Sequence, residues 1–355
     1  MPEPAGAAAR GGPAAGGAPA ARAAQVVAVV VTWNRRDLLM ESLAAVTAQS
    51  RPPDAVIVID NASDDGTAQA VRARFPAVRL TGLTRNTGGA GGFAAGLALA
   101  LADGADLVWL MDDDTVPRHD ALAPLAAAWA GHPGQRPALV ASQVVWTDGR
   151  AHPMNTPRRR PLAGRDRQRA AAAAGCVPVR SASFVSVLVD AAACRERGLP
   201  QADYFLWNDD FEFTTRLLRG RAGLLCPASL VVHKTRLRAS TDTDPGPRFF
   251  YEVRNKIWML RSAAPLSPLE RVLYGGSTLR RWATTFARSG DRRALGAALA
   301  RGVVAGLARR PRPAAEVLAG AGLDISVLDI AGPVSAGQDA RRPAAPAAPR
   351  PPGRR

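Results

Sequence analysis

Short apolar runs alternate with polar, turn-forming stretches through the first third of the chain. Residues 25–32, 55–59, 78–83 and 107–111 are brief, nearly unbroken runs rich in Val, Ile and Leu, the length and composition of strands buried on both faces. Between them, residues 37–49, 67–75 and 93–102 carry apolar positions at helical spacing, as with Leu38, Leu39, Leu43 and Val46. Asp37 is placed to cap the first of these helices, and Ser63 or Asp64 the second. Strict β-α alternation predicts an α/β fold, a mostly parallel sheet with helices on both faces. Ligands of such sheets sit beyond the carboxyl ends of the strands. Four polar clusters fall at those ends: Asn34 with Arg35, Asp60, Arg85 with Asn86, and Asp112 with Asp113 and Asp114.

The pattern then becomes less regular. It predicts a helix over 120–129, a strand over 138–145 and a mobile, Arg-rich loop over 156–169. Strand-like alternation follows over 177–189, then helices over 191–197 and 211–219, with Asp209 as the cap of the latter. A strand over 224–232 is interrupted by Pro227, and residues 249–258 form a helix with an aromatic face. The chain divides into a disordered tail (1–24), an α/β domain (25–240), a basic helical C-terminal extension (241–312) and a largely disordered tail (313–355).

Composition alters this picture in two places. The net charge is +16, but only Lys234 and Lys256 among 46 basic residues are lysines, in a chain rich in Ala, Gly and Pro. That make-up fits a biased genome as well as selection for polyanions, so it does not argue for nucleic acid as partner. Between Arg261 and Arg312 there are 11 Arg and two acids, interleaved with Leu269, Val272, Leu273, Leu279, Trp282 and Phe286. A basic amphipathic helix of this kind suits an anionic membrane surface, or equally a helix packed on the domain with a solvated Arg face. The N-terminal stretch lacks a signal-type apolar core, and no run is long enough to span a bilayer. Three scattered cysteines predict a reducing compartment without disulfides. Together these point to a cytoplasmic chain, with any membrane role peripheral.

Candidate chemistry gathers at the carboxylates. In an extended segment Asp112 and Asp114 point the same way, a pair of hard oxygen ligands suited to Mg²⁺ or Mn²⁺, although a solvated acidic turn has the same sequence. The glycine-rich stretch 85–92 lacks the Lys-Ser/Thr of a P-loop and reads as a flexible turn, with Arg85 able to reach a phosphate or a base. Asp209, Asp210 and Glu212 lie among five aromatics, which desolvate carboxylates and raise them toward general-base duty. His233, alone at a strand end, reads as structural on its own.

Six segments in order (29–35, 58–67, 86–92, 111–114, 207–213 and 231–235) resemble the family 2 glycosyltransferases of GT-A fold. The resemblance runs over about 210 residues, 26–235, and looks most like the actinobacterial galactofuranosyltransferase branch, which extends polyprenyl-diphosphate-linked cell-wall sugars. Related dTDP-rhamnose-dependent rhamnosyltransferases stay in play, as does, from another class, a non-catalytic basic protein that binds membranes or polyanions. The resemblance implies that Asp60 binds uracil with Thr32 and Arg35 nearby, and that Arg85, Asn86 and Asp113 line the nucleotide-sugar site. It implies that Asp112, Asp114 and His233 hold Mn²⁺ or Mg²⁺ against the diphosphate. Asp210 would be the base, with Asp209 beside it, while Glu212 and Trp207 would serve the lipid-linked acceptor. One attack with no covalent intermediate would invert the anomeric centre. The chain lacks the extra domains of the large galactofuran polymerases, which implies an initiating enzyme.

Overall fold

The computed structural model describes residues 22–161, 163–236, 244–262 and 264–328. The predicted tails over 1–21 and 329–355, and residues 241–243, lie outside them. The first half alternates as expected: β1 (Val26–Thr32), α1 (Arg36–Thr47), β2 (Ala55–Asp60), α2 (Thr67–Arg74), β3 (Arg79–Gly82), α3 (Gly88–Ala102) and β4 (Leu107–Asp112). These four strands are parallel, in the order β3-β2-β1-β4. Every residue of β1 is buried, because the sheet is covered on both faces. Val27, Val29 and Val31 pack on one side with α3, while Val26, Ala28 and Val30 pack on the other with Leu39 and Leu43 of α1.

The second half is mixed. It comprises β5 (Thr115–Pro117), α4 (Leu122–Gly131), β6 (Leu139–Val145), β7 (Arg158–Arg159), α5 (Arg165–Ala173), β8 (Val177–Ser181), β9 (Val187–Asp190), α6 (Ala191–Arg197), α7 (Asp209–Leu217) and β10 (Gly223–His233). β9 lies antiparallel between β4 and β6, joining the two halves into one ten-stranded sheet. The stretch 177–189 is therefore two strands, and 156–169 is not simply a mobile loop, since it holds β7 and the start of α5. Pro227 falls within a bulge of β10 between Cys226 and Leu230, which lets the strand continue to His233. The three cysteines are free and buried.

Helix α3 begins at Gly88, five residues before the predicted start. Gly88 holds φ +70°, and a Cβ there would lie 1.9 Å from the Phe205 carbonyl oxygen. Only glycine permits this approach, which seats the 204–208 loop on the start of α3. The caps also differ from expectation. Asp65, rather than Ser63 or Asp64, accepts from the Thr67 amide, Asp37 lies inside α1, and Asp209 is the first residue of α7 rather than its cap.

Beyond residue 243 come α8 (Phe249–Arg261), α9 (Pro268–Arg288), α10 (Arg292–Ala308) and α11 (Ala314–Ala319). Ser267 and Glu270 form a reciprocal capping box that starts α9. The expected tail from 313 is ordered at its start: Val317, Leu318, Ala321 and Ile325 are buried in the α3-side core. Four apolar residues within nine suffice to dock a short helix, although the surrounding Ala, Gly and Pro give little periodicity.

Candidate active site

The acidic cluster is built where β1 and β4 end side by side. Asp113 turns back to β1, accepting from Thr32 Oγ1 at 2.8 Å, from the Trp33 amide at 3.4 Å and from Arg35 at 3.2 Å. Arg35 also donates to Asp114 Oδ2 at 2.7 Å. Burial would lower Arg35, but the charges of Asp113 and Asp114 hold it above its ordinary value. Burial pushes Asp113 up to about 6, against the opposing pull of Arg35.

Asp112 and Asp114 face the same way, and His233 at the end of β10 joins them; their ligand atoms lie within 4.8 Å of one another. His233 Nδ1 lies 3.0 Å from Asn155 Oδ1, which orients the ring. Its Nε2 lies 2.8 Å from Asp114 Oδ1. Asp114 Oδ1 is buried, with His233 Nε2 as its close neighbour. A buried carboxylate oxygen this close to an imidazole nitrogen needs a proton or a cation between the two. The donor set, two carboxylate oxygens and one imidazole, fits Mn²⁺ or Mg²⁺. Burial, then the charges of Asp114 and Asp113, raises Asp112 well above the carboxylate range. Burial acts in the same sense on Asp114, but the contact with and charge of His233, with Arg35, outweigh it and hold Asp114 low.

Asp112 and His233 line a cavity of about 610 Å³ whose other walls include Asp209, Asp210, Trp207 and Lys256. Burial, then the charge of Asp210, pushes Asp209 up to about 8, so at neutral pH it retains a proton. Burial also raises Asp210, but the Phe211 amide and the charges of Lys256 and Arg158 oppose it. The pair thus divides into a proton holder and a partner more readily ionised.

The loop that carries these residues is strained. Phe205, Trp207 and Asn208 each hold φ of 64°, at a cost of about 1–3 kcal/mol apiece. Asn255 on α8, fully buried, holds the loop by donating to the carbonyls of Tyr204, Leu206 and Trp207 at 3.0, 2.9 and 2.9 Å. Asn255→Ala should lower unfolding stability by about 2 kcal/mol and cut turnover more than donor affinity. Chemical denaturation and initial-rate kinetics check both; an unchanged kcat would show that the loop holds itself.

Other expected site residues are placed elsewhere. Asp60 is buried at the end of β2 and accepts from the Ser63 amide at 2.9 Å, and Asn86 accepts from the Gly88 amide at 2.7 Å. Neither borders the cavity just described. Arg85 is exposed and caps α11, donating to the carbonyls of Val317 and Gly320 at 3.1 and 3.0 Å. Nothing in the pattern around Arg85 points to α11 as its partner. Glu212 points away from the cavity. It is 3% exposed and paired with Arg216 at 2.7 Å, and Arg216 in turn binds the carbonyls that end α6. A carboxylate beside Asp209 and Asp210 in sequence lies on another side of the helix, where a buried arginine needs it.

Asn155 and Lys256 were not singled out from the sequence. Asn155 lies in an irregular stretch with no local signal. Lys256 had one: it is one of two lysines in a chain that otherwise uses arginine.

The model for Glycosyl transferase family 2 matches residues 27–188. Galactofuranosyltransferase GlfT1 of Mycobacterium tuberculosis is 36% identical over 252 residues, 66% of this chain and 82% of that protein. GlfT1 of Mycolicibacterium smegmatis is 51% identical over 92 residues, 26% of this chain and 30% of that one. Among solved structures, S. aureus TarS 1-349 in complex with UDP-GlcNAc shares the fold at a TM-score of 0.55 and 15% identity, covering 79% of this chain and 81% of that one.

Proposed function

The chain belongs to the family 2 glycosyl transferases and is a glycosyltransferase; from that premise we propose that it transfers galactofuranose from UDP-galactofuranose to a glycan carried on a polyprenyl diphosphate, with inversion at the anomeric carbon. The observation that carries this reading is a single cavity bordered by Asp112 and His233 on one side and by Asp209 and Asp210 on another. The likeness to GlfT1 supports the donor sugar, and the UDP-GlcNAc complex of TarS supports a uridine nucleotide.

Asp112, Asp114 and His233 would hold Mn²⁺ or Mg²⁺, which when bound neutralises the charge of the departing diphosphate. Asn155 orients the His233 ring, and His233 together with Arg35 keeps Asp114 ionised. Thr32 and Arg35 reach the nucleotide site through Asp113, and Asp60 stands at the adjacent strand end for the base. Asp210 takes the proton of the attacking hydroxyl, and Asp209, protonated, donates a hydrogen bond within the same site. Trp207 offers a face for the acceptor sugar. A purified-protein assay with a donor panel tests the assignment. Transfer from UDP-galactofuranose is expected, whereas transfer from dTDP-rhamnose alone would replace this donor, and inactivity with every donor would favour a binding protein.

The acceptor places the protein at the inner membrane face as a peripheral enzyme. Among the described residues no helix is long and apolar enough to cross a membrane. Helix α9 instead has two apolar faces. Tyr274 and Trp282 pack inward on Phe211 and Phe249, while Leu269, Val272, Leu273 and Leu279 are 69, 73, 63 and 65% exposed. Arg280 lies on the outward face, and Arg288, Arg292 and Arg293 are exposed nearby in sequence. Anionic lipid complements that charge; a second copy would set arginine against arginine. Leu269→Glu with Leu273→Glu should reduce binding to phosphatidylglycerol vesicles by more than tenfold in flotation, since each buried leucine contributes about 1.5–3 kcal/mol. The rate with a soluble acceptor reports folding, and undiminished flotation would remove α9 as the docking face.

A further inference from the structure

Lys256 is a cation with no hydrogen-bonded anion among the described residues. It lies on α8 in the cavity wall, 6% exposed, with Nζ 4.7 Å from the centre of the Phe211 ring. Among the described residues its ammonium makes no hydrogen bond. The nearby carboxylate Glu252 is already engaged: Arg281 and Trp282 donate to one oxygen, and Asn208 donates to the other at 2.7 Å. Asp210 accepts from the Phe211 amide at 2.6 Å. Arg158, exposed at the rim, lies over the same Phe211 ring at 5.2 Å and also lines the cavity. Burial, then the charges of Arg281 and Arg158, lowers Lys256 to about 8, against Glu252 and Asp210. An ammonium in a cavity wall with no hydrogen-bonded partner is placed to take one from a ligand.

We infer that Lys256 and Arg158, on the Phe211 side of the cavity, form an anion subsite for the diphosphate of the acceptor, separate from the Asp112, Asp114 and His233 set. The inference rests on the proposed function, in which donor and acceptor each bring a diphosphate. The cations lie close enough to Asp210 to stabilise its charge, whereas Asp112 is influenced by Asp209. One cavity wall thus joins an oxygen-rich set suited to a metal-bound diphosphate, the acid pair, and a cationic set suited to a bare one. An ammonium deep in the wall and a guanidinium at the rim can engage successive phosphates of a chain that enters from outside.

The test uses the full chain, with Lys256→Met, which keeps the stem against Phe211, and Arg158→Gln. Binding of inorganic pyrophosphate is measured by calorimetry in EDTA, which disables any metal site. The expected result is weakening on the order of 10–100-fold in Lys256→Met, a smaller loss in Arg158→Gln, and recovery in Lys256→Arg. Equal binding to wild type and variants, or none to wild type, overturns the subsite whether or not the protein transfers sugar. With two soluble acceptors bearing the same sugar, an alkyl diphosphate-linked glycan and an octyl glycoside, Lys256→Met should raise KM for the first on the order of tenfold or more and reduce its advantage over the second correspondingly. An equal fall in kcat with both acceptors would instead give Lys256 the task of keeping Asp210 ionised.

Discussion

Asp210→Asn should lower transfer on the order of 1,000-fold or more while leaving UDP binding within about twofold of wild type. Asparagine keeps the size and the oxygen that accepts from the Phe211 amide, so the start of α7 is preserved. What it removes is the lone pair that receives the hydroxyl proton. Asp209 cannot replace it well, because burial and then the charge of its neighbour push it up to about 8. Without that neighbouring charge Asp209 would ionise more easily, so residual activity in the variant should rise with pH. Initial rates across pH 6–9, with calorimetry of UDP binding, check both parts. A variant with full activity would move the base elsewhere in the cavity.

Asp114→Asn should produce a second large loss, on the order of 100–1,000-fold at fixed Mn²⁺, partly recovered as Mn²⁺ is raised. Asparagine can still accept from Arg35 through its oxygen, so the β1–β4 junction survives. The buried position now occupied by Oδ1, beside His233 Nε2, would carry an amide or lose its charge. Either outcome removes a hard anionic ligand and leaves His233 facing a poorer partner. Titrating Mn²⁺ against rate separates this from damage to the base. A lowered maximal rate with unchanged Mn²⁺ dependence would assign Asp114 to folding rather than to ligation.

The parallel half of the fold was legible because each β-α unit there carries its own pattern. Buried strands read as unbroken apolar runs, and the polar residues that end them are short and sharply bounded, as in Met111 followed by three aspartates. The polar residues at those strand ends are legible for the same reason. Pairings between distant segments were not legible. Nothing near Arg85 announces that it caps a helix more than 200 residues later, and nothing near Glu212 distinguishes it from Asp209 and Asp210 until Arg216 is seen beneath the helix. Helix α3 was predicted too short because glycines suggest a turn. Here their lack of a side chain lets Gly96 pack against Val29 and Gly88 against the 204–208 loop. His233 shows both limits: its strand end was evident, but its value as a ligand depends on Asn155 and Asp114, which reach it from separate loops.

Manganese binding in the presence of UDP tests the central claim most directly. Electron paramagnetic resonance of the purified chain titrated with Mn²⁺, with and without UDP, reports bound metal without requiring the correct acceptor. One Mn²⁺ per chain is predicted, bound more tightly when UDP is present and markedly weakened in Asp114→Asn and His233→Ala. Binding unaffected by UDP, or retained in both variants, would contradict a metal held by Asp112, Asp114 and His233 against a nucleotide diphosphate.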